Sequence, residues 1–292
     1  MADTTPPEPA PLIDFTVPHS ARIWNYWLRG KDNFPADRDA GDAYAKIFPR
    51  ITEIARASRC FLARVVRHLA ADAGIRQFLD IGTGLPTVNN THQVAQAVAP
   101  ESRIVYVDND PLVLSHARAL LTSTPHGACH YLEADLRDPA RILTEAARLL
   151  DFTQPIALML MGIMGHIHDQ HAYPIVRRLV DGLPPGSYLA LYDGSNVNPA
   201  FNQAQDGYNQ TGAAPYWLRS PDQIAQFFDG LDLVQPGVVP CSRWRPEPSR
   251  FGDPAEVETF GGLARKPGAR QTSAAALPRH HEPDQQPNGI TA

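Results

Sequence analysis

A chain of 292 residues, 43% hydrophobic and 20% charged, has the length and apolar content for one large domain or two small ones. A net charge of −5 and a pI near 6.1 argue against a general nucleic-acid or anionic-membrane binder. Cys60, Cys129 and Cys241 are too few and too scattered for a disulfide framework and fit a reducing cytoplasm. The acidic, Pro-rich start lacks the apolar core of a signal peptide. The longest apolar run, 156–167, is too short and too glycine-broken to span a bilayer. A soluble, cytoplasmic protein is expected.

Residues 1–15 are Pro- and Thr-rich and read as disordered. Ser20 can cap a short helix with Ile23, Trp24, Trp27 and Leu28 on one face and Gly30 at its end. Residues 31–35 form a link, and Asp37 can start a second helix bearing Ala40, Tyr44 and Ile47. A third helix, 51–71, keeps its apolar positions at helical spacing. Strands and helices then alternate. Strands are expected at 78–80, 103–108, 128–134, 156–161 and 188–192, and helices at 111–121, 140–150 and 171–183. The Asn/Gln/Gly-rich stretch 194–215 is longer than most connections and reads as a loop or lid. Ser220 and Pro221 open another helix. Two neighbouring final strands are expected at 231–239 and 257–264, and the tail from 266 reads as disordered. Alternation of this kind implies a mostly parallel sheet covered on both faces, with its ligand beyond the carboxyl ends of the strands.

The most informative stretch is Gln77 to Thr91, a short apolar strand, an aspartate, two glycines and a capped helix. Glycines there let the backbone turn tightly and a ligand approach where a Cβ would collide. Three acidic residues fall at the ligand edge. Asp80 and Asp108 end the first two strands, and Asp135 follows the third. A carboxylate ending the second strand can accept from both ribose hydroxyls, and Asp135 from an adenine amino group. A dinucleotide fold wants a third glycine after Gly84, where Leu85-Pro86-Thr87 stands, and an acidic residue near a pyrophosphate is unfavourable. S-adenosylmethionine has no phosphate and carries cationic groups, so it suits these carboxylates better.

With Asp80-Ile-Gly82-Thr-Gly84 as first motif and Asp108 as second, the chain resembles a class I S-adenosylmethionine-dependent methyltransferase. More narrowly it resembles an actinobacterial methyltransferase family formerly catalogued as a domain of unknown function. The matching stretches are 18–22, 30–34, 56–59, 78–87, 106–111, 235–237 and 244–246. Pro86 departs from the wider class, which often has a third glycine, but the narrower family tolerates it. The resemblance implies a Rossmann-like α/β sheet of about seven strands, mostly parallel, with an antiparallel last hairpin. It implies one domain over 16–265, with 16–74 a helical cap and 75–265 the core, and S-adenosyl-L-methionine as cofactor. The implied cofactor contacts are Asp80, Gly82, Thr83, Gly84, Asp108, Asn109, Asp135, Leu136, Met161 and Gly162.

The acceptor side follows from where the methyl should point, toward the end of the fourth strand. His166 is then a candidate base, and Tyr26 a second candidate catalytic group. His19, Lys31, Asn33, Arg59 and Tyr192 are expected to shape the acceptor pocket. His166, His168 and His171 could suggest a metal, but they straddle a loop–helix junction without a Cys partner, and no metal is expected. The expected function is methyl transfer to a small molecule. A non-catalytic cofactor-binding sensor or scaffold is the alternative, and a nicotinamide-dependent oxidoreductase a weaker one. No partner beyond the small-molecule substrate is expected, with neither nucleic acid nor membrane, and no pattern specifies an oligomeric state.

Overall fold

The computed structural model describes residues 14–120, 122–250 and 252–268. The disordered segments expected at the two ends fall mostly outside that range, and so does Leu121, the expected last residue of one helix. Phe15 sits with its ring centroid 4.3 Å from that of Phe34, and the Lys266 ammonium donates to the carbonyls of Val180, Asp181 and Leu183, which end a helix.

Three helices come first: α1 (Ser20–Trp27), α2 (Pro35–Ile47) and α3 (Ile51–Ala71). Then follow β1 (Gln77–Ile81), α4 (Thr91–Val98), β2 (Arg103–Asp108), α5 (Pro111–Leu120), β3 (Ala128–Glu133), α6 (Pro139–Ala146), β4 (Ala157–Met161), α7 (Asp169–Asp181) and β5 (Tyr188–Gly194). The chain continues through α8 (Pro199–Tyr208), α9 (Pro221–Ala225), β6 (Asp232–Leu233), β7 (Val239–Pro240) and β8 (Thr259–Arg265). The sheet order is β3-β2-β1-β4-β5-β8-β6, with β7 also pairing with β8. Strands β1 to β5 are parallel, and β8 runs antiparallel to β5, β6 and β7. Strand order reverses between β1 and β4, which opens a crevice at their carboxyl ends.

Strand parity divides the core. Phe78, Ile104, Tyr106, Met159 and Tyr192 face α3, while Leu79, Val105, Leu158 and Leu191 face the side of α6 and α7. Both faces are covered, which is why β1 and β4 read as apolar runs apart from Gln77 and Asp80. Each such fully buried Leu, Ile or Phe contributes about 1.5–3 kcal/mol. Ile23, Trp27 and Tyr44 of the first helices belong to the same cluster as Phe78 and Ile104, so cap and sheet share one core.

Three expectations are corrected. The expected strand 231–239 is two short strands, broken at Pro236-Gly237, so that the described residues hold eight strands where about seven were expected. Proline has no N–H to donate, Gly237 adopts φ +89°, and its N–H closes a turn on the Val234 carbonyl. The stretch read as a loop or lid carries α8. Asn198 caps it by accepting from the Ala200 N–H at 3.0 Å, Pro199 opens it, and Phe201, Ala204, Gln205 and Tyr208 are buried. His19 rather than Ser20 caps α1, its Nδ1 accepting from the Ala21 N–H.

Candidate active site

The carboxyl ends of β1, β2, β4 and β5, roofed by α1, α2 and α8, enclose a cavity of about 280 Å³. The turn after β1 forms its floor. Gly82 has φ +74°, and a Cβ there would lie 2.5 Å from the Ile163 side chain, so only glycine fits. Gly84, at φ +65°, donates its N–H to Asp108 Oδ2 at 3.0 Å, and the Asp110 N–H donates to Asp108 Oδ1 at 2.9 Å. One N–H on each oxygen fixes the carboxylate at the end of β2 and leaves lone pairs for a ligand. Burial raises the Asp108 pKa, and the two N–H groups partly oppose it.

Asp80 is not at the strand end as expected. It lies inside β1, buried, with Thr91 Oγ1 donating to it at 2.6 Å. Burial pushes its pKa up to about 6, against the pull of Thr91 and Arg59. Arg59, from α3, donates through Nη2 to the carbonyls of Val88 and Asn89 and so ties that helix to the turn, while its buried Nε has no partner. Burial lowers its pKa. Thr83, Asn109, Asp135 and Leu136 line the same end of the cavity. Asp135 is half-exposed and pairs with Arg137 at 3.1 Å. His19 lines the cavity near Asp108, its Nδ1 3.5 Å from Asp110 Oδ2.

The other end is built on β4 and β5. Met161, Gly162 and Tyr192 line it, and the Gly162 N–H donates to the Tyr192 carbonyl. His166 closes a short 3-10 turn, Met164–His166, and its Nδ1 lies 2.9 Å from the Pro215 carbonyl oxygen. A carbonyl only accepts, so Nδ1 carries the proton and Nε2 keeps its lone pair. Burial lowers the His166 pKa. Tyr216 stands edge-on to His166 at 5.0 Å. Its hydroxyl donates to Asp193 Oδ1 and accepts from the Gly194 N–H. Asp193 pairs with buried Arg219, which also donates to the carbonyls of Met164 and Ile167 on either side of the histidine turn.

Three expected residues are not at the cavity. The Tyr26 hydroxyl donates to Asp42 Oδ1 at 2.8 Å, and its ring packs toward Gly41 of α2. It falls off the helix face, Ser20, Ile23, Trp24, Trp27 and Leu28, that lines the cavity. Lys31 is exposed, and Asn33 holds its own loop by donating to Asn25 Oδ1 and the Gly30 carbonyl. The cavity residues that sequence reasoning passed over are Asn25, Phe201, Gln205, Tyr208 and Tyr216, with Asp193 and Arg219 behind them. Their signals were an aspartate near the end of a strand and an Asn-Pro helix start.

The donor set fits S-adenosylmethionine. The Gly84 N–H that could cradle a phosphate is already given to Asp108, and the carboxylates of Asp80 and Asp108 suit an ammonium and ribose hydroxyls. Residues 6–267 match the family model described as S-adenosyl methyltransferase. A DUF574 family protein from Streptomyces avermitilis is 45% identical over 88% of this chain and 100% of its own, with a TM-score of 0.84. A candidate methyltransferase from Thermobifida fusca is 40% identical over 90% of this chain and 100% of its own, with a TM-score of 0.81. An O-methyltransferase family protein from Burkholderia thailandensis shares the fold at 14% identity and a TM-score of 0.51, over 82% of this chain and 74% of its own. No protein of curated function matches. The chain belongs to the S-adenosyl methyltransferase family, and its cofactor is S-adenosyl-L-methionine.

Proposed function

We propose that this methyltransferase acts in the cytoplasm on a small-molecule hydroxyl or amine, with His166 Nε2 as the proton acceptor. The observation that carries this is the His166 tautomer, fixed by Pro215 within the cavity that Gly162 and Met161 also line. When bound, S-adenosylmethionine supplies a methyl group on a sulfonium, activated without help from the protein. The chain must therefore hold, align and desolvate its ligands and take one proton. Asp108 holds the ribose hydroxyls and Asp80 the ammonium of the methionine part. Asp135, Leu136 and Asn109 border the adenine, and Arg59 and Tyr192 stand between the methionine part and the acceptor. The lowered pKa keeps His166 neutral at pH 7, ready to accept.

Calorimetry with S-adenosylhomocysteine tests the cofactor assignment, and turnover of a metabolite pool with labelled cofactor separates an enzyme from a sensor. With an acceptor in hand, His166→Ala is expected to lower kcat about a hundredfold, with S-adenosylhomocysteine affinity held within about twofold. Tyr26→Phe should leave both unchanged. An unchanged rate in His166→Ala would remove the histidine from the chemistry.

A further inference from the structure

The part of the cavity wall supplied by α1, α2 and α8 has a composition of its own. Trp24 and Trp27 of α1, Tyr44 of α2 and Phe201 of α8 all line it. Their rings meet edge to face in succession, with centroids 5.7 Å apart for Trp24–Trp27, 5.1 Å for Trp27–Tyr44 and 6.1 Å for Tyr44–Phe201. The result is one aromatic wall across three helices. The polar groups near it are engaged. The Tyr44 hydroxyl donates to Gln205 Oε1, the Gln205 amide donates to Asn209, and the Tyr208 hydroxyl donates to the Ala214 carbonyl.

The described residues that α1, α2 and α8 contribute to the cavity include no charged side chain. An anion entering there would lose its water without gaining a partner on these three helices, and the Arg59 guanidinium is held at the turn after β1 by the Val88 and Asn89 carbonyls. A cation would in addition face the sulfonium of the cofactor and Arg59. A wall of ring faces and edges rewards a flat ring system more than an aliphatic one of equal size, because offset and edge contacts add to the area buried.

We propose that this chamber receives an uncharged, planar aromatic acceptor, packed against the wall of Trp24, Trp27, Tyr44 and Phe201. The proposal rests on the reading of the cavity as a methyl-transfer site.

The test uses the full chain saturated with S-adenosylhomocysteine, and calorimetry with three probes: β-naphthol, its saturated analogue decahydro-β-naphthol, and β-naphthoate. β-Naphthol should bind about tenfold more tightly than either of the others. Trp24→Leu, at a half-buried position, and Phe201→Leu should each reduce the preference over the saturated probe to about threefold or less. Retained S-adenosylhomocysteine affinity shows that each variant is folded. Equal binding of the saturated probe, tighter binding of the naphthoate, or no naphthol binding to cofactor-loaded protein would each overturn the acceptor class while leaving the cofactor site standing. Failure of the parent to bind S-adenosylhomocysteine would overturn both.

Discussion

Asp108, half-buried, and Asp80, buried, are carboxylates at one edge of the sheet, yet their surroundings give them different work. Asp108 takes two backbone N–H groups and keeps lone pairs directed at the cavity. Asp108→Ala should lose a charge-assisted contact to the ribose of about 1.5–3 kcal/mol, read as weaker S-adenosylhomocysteine binding by calorimetry. Parent-like affinity would remove the central argument for the nucleoside site. Asp80 has one donor, Thr91, and a pKa of about 6 caused by burial. Only its ionised form attracts an ammonium, so protons compete with the ligand. Affinity should be level above about pH 7 and fall about tenfold from pH 7 to pH 5. Asp80→Asn should be weaker at neutral pH and lose most of that dependence. The same slope in Asp80→Asn would assign the titration to another group.

Among the elements, the turn that carries His166 is held by Arg219 as well as by its own hydrogen bonds. Arg219 is fully buried, pairs with Asp193, and reaches the Met164 and Ile167 carbonyls from the far side. Arg219→Met should cost about 3–5 kcal/mol of stability, because buried Asp193 loses its ion-pair partner and the Met164 and Ile167 carbonyls lose a donor. A double Arg219→Met, Asp193→Asn variant should recover part of that loss in urea unfolding, and additive losses would refute the coupling. The pairing in this brace was not legible in the sequence, since Arg219 and Asp193 are 26 residues apart and only the folded sheet edge brings them together. The glycine turn and Asp108 were legible because their positions follow from strand length and turn chemistry alone. Tyr26 was placed wrongly although its register was available. The spacing of Ile23, Trp24, Trp27 and Leu28 already sets the inward face of α1, and Tyr26 is off it. The helix α8 was hidden by polar composition. Its Phe201, Ala204 and Tyr208 keep helical spacing, but Asn and Gln between them mask the period.

For the whole molecule, the question is whether the helices before β1 are a separate lid or part of the cooperative unit. Asp37 decides it. Fully buried, it accepts from the His19 N–H that opens α1, from the Phe34 N–H that opens α2, and from the Arg22 guanidinium. One carboxylate thus satisfies both helix starts and the charge between them. Asp37→Ala leaves buried Arg22 unpaired and should destabilise the protein by about 3–5 kcal/mol. Because α1 lines the cavity with Ser20, Ile23, Trp24, Trp27 and Leu28, the same variant should also weaken S-adenosylhomocysteine binding. In the parent, saturating S-adenosylhomocysteine at about a hundred times its Kd should stabilise the fold by about 2.7 kcal/mol. Hydrogen exchange should show slower exchange in α1 and α8 as well as in the turn after β1. Heat should unfold cap and sheet in one transition, since Ile23, Trp27 and Tyr44 share a core with Phe78 and Ile104. Two resolved transitions, or protection confined to the turn after β1, would make the first three helices a detachable cover. The acceptor wall they carry would then form only transiently.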